Sequence, residues 1–225
     1  MGVPSNFTEE EGVGVLVPRL VDHDLRKRQI TDAARRVIVA GGLESVTFQS
    51  VAAEAGFSVR LVQYYFGTKR DFLLATHRSV MEDAGARFLR RWSELGAEPT
   101  PPRDAIRAVL MEVLPLDDQR RQETIVLGAF GFGAVTGQGI AAEETFAAPD
   151  ALVALVADQL RNHRQGDRAG LDKVDLDAAL IAMAIGGLAQ GIVQGYGTAD
   201  SAVELVDHLL DRVCGTCQPV RSVDT

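Results

Sequence analysis

The sequence has few of the features that mark membrane, secreted or metal-binding proteins. No run of 18 consecutive apolar residues occurs, so we expect no transmembrane helix and no membrane partner. The N-terminus, MGVPSNFTEEEG, carries acidic residues where a signal peptide needs basic ones. A cytoplasmic location is therefore the expectation.

Cysteine is scarce as well, because Cys214 and Cys217 are the only two in 225 residues. They form a single C-x2-C pair, His208 is the one nearby candidate for a third metal ligand, and no fourth is evident. We therefore predict no metal site and no cofactor. The pair is interpreted as two reduced thiols, with a redox or metal role as the alternative.

Catalytic motifs are also missing. None of the four histidines (His23, His77, His163 and His208) has a HExxH-type spacing, and no serine lies in a G-x-S-x-G turn. A glycine-rich stretch at 128–139 lacks the Gly-Lys-Ser/Thr ending of a phosphate-binding loop. We therefore predict that the chain is not an enzyme.

The sequence does contain strong helical periodicity, and strand-type alternation is nearly absent, so the predicted fold is all-α. We predict a flexible arm at 1–24, a three-helix N-terminal domain at 25–68, a larger C-terminal domain at 69–215 that begins with one long joining helix, and a tail at 216–225. After the long helix, which ends near Leu95, further helices are expected near 102–114, 118–136, 141–164, 175–196 and 201–213.

The charge is distributed unevenly along the chain, whose net value is −8. Residues 19–80 carry ten Lys and Arg against six Asp and Glu, whereas residues 81–225 carry thirteen against twenty-two. The N-terminal domain is thus the basic part of an acidic protein, which favours a polyanionic partner for that domain.

The N-terminal domain interrupts its helices at closely spaced positions. Gly41-Gly42 stops the first helix, Thr47 caps a second that ends at Gly56, and Ser58 caps a third over Val59–Tyr65. Two short helices joined by a tight glycine-containing turn are typical of a helix-turn-helix DNA-binding unit. A small helical subdomain with a solvated face is the alternative.

The third helix has two distinct sides when its residues are placed about 100° apart. The side predicted to face the core contains Leu61, Val62 and Tyr65. The opposite side is predicted to contact bases and contains Val59, Arg60, Gln63 and Tyr64. Arginine and glutamine form bidentate pairs with guanine and adenine edges in the major groove, and the other two are expected at thymine methyls, sugar or phosphate.

Phosphate contacts are predicted at helix starts and at basic residues. Free backbone N–H groups and the positive end of the dipole attract phosphate to a helix N-terminus. The residues predicted to contact phosphate are Thr47, Ser58 and Thr68 at helix starts, Tyr65, Lys69 at the start of the fourth helix, and Arg26, Lys27 and Arg28 near the first.

Two stretches carry a family resemblance, GLESVTFQSVAAEAGFS at 42–58 and YYFGTKRDFLLA at 64–75. The turn, the Tyr-Phe pair and the lysine recur at fixed spacing, and Ile30–Ala75 thereby resembles the N-terminal domain of the TetR family of transcriptional regulators. The resemblance implies a repressor that binds a palindromic double-stranded DNA operator as a homodimer and is released by a small molecule. A regulator without such a ligand is the alternative.

This sequence also departs from the family pattern. Family members often have a small residue at the position of Arg60 and a tyrosine at that of Gln63. The operator is therefore expected to differ from those of relatives.

The resemblance assigns the dimer contact to the last two helices, here residues 175–213. Residues 178–197 are apolar and rich in Gly and Ala, which permits close approach of helices, and 203–213 contains an apolar stripe. A dimeric four-helix bundle is predicted, with an internal core pair of helices as the alternative.

The resemblance also places a small-molecule site in the C-terminal domain, and we expect an apolar or weakly polar effector. Aromatic and Met side chains of the middle helices are the candidates for its pocket: Phe88, Trp92, Met111, Phe130, Phe132 and Phe146. The glycine-dense stretch 128–139 predicts a kink beside this cavity.

Overall fold

The computed structural model describes residues 17–95, 100–138, 141, 147–164 and 171–215. These residues form nine α-helices and one 3-10 helix, and none of them lies in a strand, which confirms the all-α prediction. The elements are α1 (Val17–Gly41), the 3-10 helix η1 (Leu43–Ser45), α2 (Phe48–Ala55), α3 (Val59–Phe66), α4 (Lys69–Leu95), α5 (Pro102–Val113), α6 (Asp118–Val135), α7 (Ala147–His163), α8 (Val174–Val193) and α9 (Ala199–Cys214).

Helix α1 begins at Val17, eight residues before the start at Leu25 that the apolar pattern predicted. Residues 17–24, which the sequence assigned to the arm, are therefore helical in the structure. Asp22, Asp24 and Leu25, on or just after this extension, are exposed. The rest of the arm and the predicted tail at 216–225 lie outside the described residues.

Local capping fixes the ends of the short helices. The Oγ1 of Thr47 accepts a hydrogen bond from the Ser50 N–H at 2.9 Å, and the Ser50 hydroxyl accepts one from the Thr47 N–H, also at 2.9 Å. Gly56 ends α2 with a φ of 69°, in the left-handed region that favours glycine. The predicted break between α2 and α3 is thus built from their own cap residues.

The core of the N-terminal domain extends into the C-terminal domain. Its buried side chains come from α1, η1, α2, α3 and the first half of α4, and they include Ile30, Ile38, Val51, Val62 and Phe72. Val126 and Phe130 of α6 are buried in the same cluster. Residues on both sides of the boundary predicted between 68 and 69 therefore share one core.

A second core holds α5, α7, α8 and α9 together, with Ile106, Leu110, Leu160, Ile181 and Leu210 among its buried residues. Within the described residues, α8 is the one helix long and apolar enough to cross a membrane by length and composition, with 20 residues and a mean hydropathy of 1.8. Its buried residues recur at helical spacing along one face and pack into this core. That packing makes α8 part of the helical bundle.

Candidate nucleic-acid interface

Helix α3 buries a stripe that differs from the predicted one. The helix continues one residue beyond its predicted end, and its buried residues are Val62 and Phe66. Val59 is half-buried and packs against the same core, although the sequence pattern placed it outward. Val59, Val62 and Phe66 are spaced i, i+3 and i+7, so including Phe66 in the helix turns the buried stripe toward Val59. The outward placement of Val59 was therefore wrong.

The other three residues predicted to face outward do so. Arg60, Gln63 and Tyr64 are exposed, and 77% of the surface of Tyr64 is accessible. In the part of the chain that the structure describes, the side chains of Arg60 and Gln63 join no hydrogen bond or ion pair. The packing of α3 keeps both side chains exposed, so they are accessible to a ligand. Their contact with bases stays a prediction.

Tyr65 occupies the edge of α3 and is half-buried. Its ring centroid lies 4.8 Å from that of His23 on α1 and 5.5 Å from that of Tyr64, which meets it edge-on. Tyr65 therefore supports the exposed Tyr64 from one side. Its predicted phosphate contact stays a prediction.

The three predicted cap residues lie at the starts of α2, α3 and α4, and all three are exposed. The Ser58 Oγ accepts a hydrogen bond from the Leu61 N–H at 3.2 Å, and the Thr68 Oγ1 accepts one from the Asp71 N–H at 3.1 Å. Each cap satisfies one of the unpaired N–H groups at its helix start and leaves others open to solvent. Thr47, Ser58 and Thr68 therefore mark three exposed helix starts of the type that binds phosphate.

The basic residues predicted to contact phosphate fall into two groups. Lys69 is exposed at the first position of α4. Two of the residues on α1 instead contact other parts of the protein, because Arg26 lies 5.2 Å over the ring of Phe57 and Arg28 hydrogen-bonds to Asp83 of α4. Lys27 is half-buried. Arg28 thus makes a contact between α1 and α4 while its side chain stays exposed, and its predicted phosphate contact stays a prediction.

Asp83 is the centre of a polar cluster between α1 and α4 that sequence reasoning missed. It accepts hydrogen bonds from Arg28 and, at 2.7 Å, from Arg35, and Arg35 also donates to Ser79. Burial raises the pKa of Asp83, but the hydrogen bonds from Arg35 and Arg28 outweigh it and hold that pKa below its ordinary value. No local sequence pattern predicts this cluster, because its hydrogen-bonding partners lie 44 to 55 residues apart in the sequence.

The residues predicted for an effector pocket have different surroundings in the structure. Phe130 is fully buried in the N-terminal core, with its ring 5.2 Å from that of His77, whereas Phe132 is 69% exposed. Phe88 and Trp92 stack on each other along α4 with their ring centroids 6.3 Å apart. Phe146 lies outside the described residues. A pocket lined by these residues stays a prediction.

A cleft of about 540 Å³ lies between the end of α4 and α5, and Met111 is the only predicted pocket residue among those that line it. Its lining is mostly charged or polar and comprises Arg91, Glu94, Leu95, Thr100, Asp104, Arg107, Ala108, Met111 and Glu112. Glu112 also lies 3.4 Å from Arg87, whose guanidinium makes two hydrogen bonds to the buried Glu123 of α6. The cleft thus has charged walls and is linked to α6 by this ion-pair network.

Two of the candidate metal or redox residues, His208 and Cys214, lie on α9. The Nε2 of His163 lies 2.8 Å from the Cys214 carbonyl oxygen, and that of His208 accepts a hydrogen bond from Arg212 at 3.0 Å. Burial raises the pKa of the Cys214 thiol, which opposes thiolate chemistry. Cys217 lies outside the described residues, within which no cluster of three or more His, Cys, Asp or Glu side chains is arranged to hold a metal ion.

Family models match this chain in two places. Residues 30–76 match the model described as bacterial regulatory proteins of the tetR family. Residues 102–215 match the C-terminal model of the BetI-type transcriptional repressor. The first match runs from within α1 to the first turns of α4, and the second covers α5 to α9.

Individual relatives agree with these matches. The HTH-type transcriptional regulator PksA of Bacillus subtilis is 28% identical over 114 residues, which is 51% of this chain and 54% of PksA. The HTH-type transcriptional regulator BetI of Burkholderia mallei is 38% identical over 94 residues, which is 42% of this chain and 47% of BetI. A crystal structure of a transcriptional regulator from Rhodococcus sp. Rha1 has a TM-score of 0.66 and 26% identity, covering 84% of this chain and 94% of that one. The chain thus matches about half the length of these curated relatives.

A short exposed helix on a helix-turn-helix unit, joined to a larger helical domain, defines a DNA-binding transcriptional regulator. These relatives are regulators and not enzymes, in agreement with the prediction from the missing catalytic motifs. The chain belongs to the TetR family of bacterial regulatory proteins.

Proposed function

We propose that this protein is a repressor that binds a palindromic DNA operator as a homodimer and is released by a small-molecule effector. The observation that carries the proposal is the exposure of Arg60 and Gln63 on α3, while Val62 and Phe66 anchor its other side. A helix held in this way can lie in the major groove, with Arg60 at a guanine and Gln63 at an adenine. The repressor role is supported by the name of the matched C-terminal model.

Phosphate contacts would orient α3 in the groove. The starts of α2, α3 and α4 present open N–H groups beside Thr47, Ser58 and Thr68, and Lys69 adds a full positive charge. Contacts of this kind position the protein on DNA without selecting sequence. Sequence selection is therefore assigned to Arg60 and Gln63.

The proposed homodimer rests on the outward faces of α8 and α9. Four large apolar residues there are at least half exposed: Leu176 at 73%, Leu180 at 53%, Met183 at 77% and Leu205 at 52%. A methyl group added at Gly186 or Gly187 would meet nothing within 4 Å, so a second helix can approach α8 closely. A second copy that packs α8 and α9 against the same two helices would cover these residues in a four-helix bundle.

Dimerisation gives the operator its expected symmetry. Two α3 helices must enter successive major grooves, which lie about 34 Å apart. A two-fold protein matches two inverted half-sites, so the proposed operator is palindromic. A DNA partner also supports a cytoplasmic location for the protein.

The effector would act through the end of α4 that lies far from the DNA. α4 has 27 residues and is therefore about 40 Å long, and it reaches from Lys69 beside α3 to Leu95 at the cleft. The lining of the cleft is mostly charged or polar and also offers apolar contacts from Leu95, Ala108 and Met111, which suits a weakly polar molecule better than a purely apolar one. Such a ligand releases DNA only if it binds one spacing of the two α3 helices better than the other.

Selection of bound duplexes from a random library tests the DNA-binding part of the proposal. We expect enrichment of two inverted half-sites and an affinity that falls steeply with salt. If the wild-type chain enriches no sequence above an unrelated duplex, sequence-specific binding is refuted.

A thermal-shift screen with a metabolite panel separates the proposal from a regulator that has no small-molecule ligand. An effector should raise the melting temperature and also release the selected duplex. A panel in which no compound does both favours the ligand-free alternative.

A further inference from the structure

Helix α6 contains three glycines within one stretch, at positions 128, 131 and 133. Glycine disfavours a helix relative to alanine, so its repeated use needs a reason in packing. A methyl group built on Gly133 would lie 2.6 Å from Leu43 Cδ2, and one on Gly128 would lie 2.8 Å from Gln190 Nε2. At Gly131 nothing lies within 4 Å. At two of the three glycines, α6 therefore meets another element so closely that an added side chain would force the neighbouring side chain, Leu43 or Gln190, to shift.

The second half of α6 fits against η1 of the N-terminal domain. Leu43, which Gly133 accommodates, is only 6% exposed and belongs to the core of that domain. Beyond the helix, Gly137 has a φ of 75°, and the Gln138 N–H turns back to donate to the Gly133 carbonyl at 2.8 Å. The Gln138 side chain then donates to Glu44 at 2.7 Å. Two adjacent residues of η1 are thus in contact with α6 and the turn after it: Leu43 packs at Gly133, and Glu44 accepts a hydrogen bond from Gln138.

The first half of α6 holds the end of α8. Arg121 donates to the carbonyl oxygens of Val193 and Ile192 at 3.1 and 3.4 Å, and these belong to the last turn of α8. Gln190, which lies against Gly128, donates to the Thr124 carbonyl at 3.4 Å. One helix therefore contacts both the N-terminal domain and the helix assigned above to the dimer.

We propose that one contact, between Gly133 of α6 and Leu43 of η1, sets the angle of the N-terminal domain relative to the dimer helices. The inference rests on the proposed homodimer. η1 ends two residues before Thr47, the cap of α2, so a shift of Leu43 is passed to the helix-turn-helix unit. The spacing of the two α3 helices then depends on α6 as well as on α4, and Gly133 and Leu43 act as positioning residues.

The test compares Gly133→Ala with Gly131→Ala, the same change on the same helix at a site with open space. Affinity is measured for a duplex selected by the wild-type protein and for an unrelated duplex of equal length. Gly133→Ala should lower affinity for the selected duplex at least about fivefold and for the unrelated duplex less than about twofold. The reason is that only the selected duplex requires both α3 helices at one spacing. Gly131→Ala should change neither affinity by more than about twofold.

Two rescues distinguish positioning from damage to the fold. Adding Leu43→Val to Gly133→Ala removes the Cδ2 atom that the new methyl group meets, and should restore binding of the selected duplex. Separately, Gln138→Glu sets a carboxylate beside the exposed Glu44 without changing the core. It should weaken binding of the selected duplex, and adding Glu44→Gln should restore it, because the hydrogen bond then forms in the opposite direction.

Several results would overturn the inference: equal effects of the two glycine substitutions, equal loss on both duplexes, or failure of Glu44→Gln to rescue Gln138→Glu. A wild-type protein that selects no duplex at all would refute the proposed function instead, and would do so before any variant is compared.

Discussion

Replacing Arg60 with alanine removes one exposed guanidinium from each α3. Among the described residues Arg60 has no partner within the protein, so the substitution should change the free energy of unfolding by no more than about 0.5 kcal/mol. A bidentate arginine–guanine pair contributes about 1–3 kcal/mol of discrimination. A dimer on a palindrome loses two such pairs, and the roughly additive cost is about 2–6 kcal/mol, or from about thirtyfold to more than ten-thousandfold in affinity.

Fluorescence anisotropy with a labelled selected duplex measures this loss, and an unrelated duplex supplies the non-specific reference. Arg90→Ala is the matched control, because Arg90 is also exposed and lies about 30 Å along α4 from Lys69. It removes the same charge far from α3. We expect Arg90→Ala to leave both affinities within about twofold of wild type, since long-range charge effects are screened by salt.

Arg60→Ala should also relax selection at one position of each half-site. A repeat of the library selection with the variant detects this as loss of a preferred base pair. Equal loss on the selected and unrelated duplexes would refute the base-reading role, and so would an Arg90→Ala variant that behaves like Arg60→Ala.

Three further outcomes follow from the structure. Lys69→Ala should weaken binding to all duplexes and reduce the slope of log affinity against log salt by about one unit per protomer, and an unchanged slope would remove Lys69 from the phosphate contacts. Met183→Glu should give monomers in sedimentation velocity while Leu89→Glu, at another exposed apolar position, on α4, leaves the dimer intact, and dimers in both would refute the proposed interface. The folded-state pKa of Asp83 lies below 3.8, so its stabilising contribution is complete above that value and is lost as pH falls through the folded pKa. In urea unfolding, Asp83→Asn should therefore be less stable than wild type above about pH 5, with the difference shrinking below about pH 4, and a difference independent of pH would contradict the role of Asp83.

Features that depend on neighbours in the chain were predictable. Thr47, Ser58 and Thr68 were identified as caps because a cap bonds within three residues of its own position. The exposure of Arg60, Gln63 and Tyr64 followed from helical periodicity. The turns that separate the helices were predictable for the same reason, because they depend on residues close together in the sequence.

One error arose because a shift of one residue in a helix boundary changes which side of the helix is identified as buried. Ending the third helix at Tyr65 left Phe66 out of the pattern, and the buried stripe was then assigned without Val59. The surroundings of the aromatic residues in the middle helices were not predictable for a different reason. Periodicity indicates that Phe130 and Phe132 lie on different sides of a helix, but it does not say what each side meets.

The amino-acid sequence by itself determined the helical fold, the helix-turn-helix unit and the side chains that α3 presents, because these depend on caps, turns and periodicity within a few residues. The tertiary structure alone decided that Arg28 binds Asp83, that α6 shares a core with the N-terminal domain, and that Gly133 accommodates Leu43. Each of these contacts joins residues more than 50 positions apart, and only the packing of whole helices brings them together.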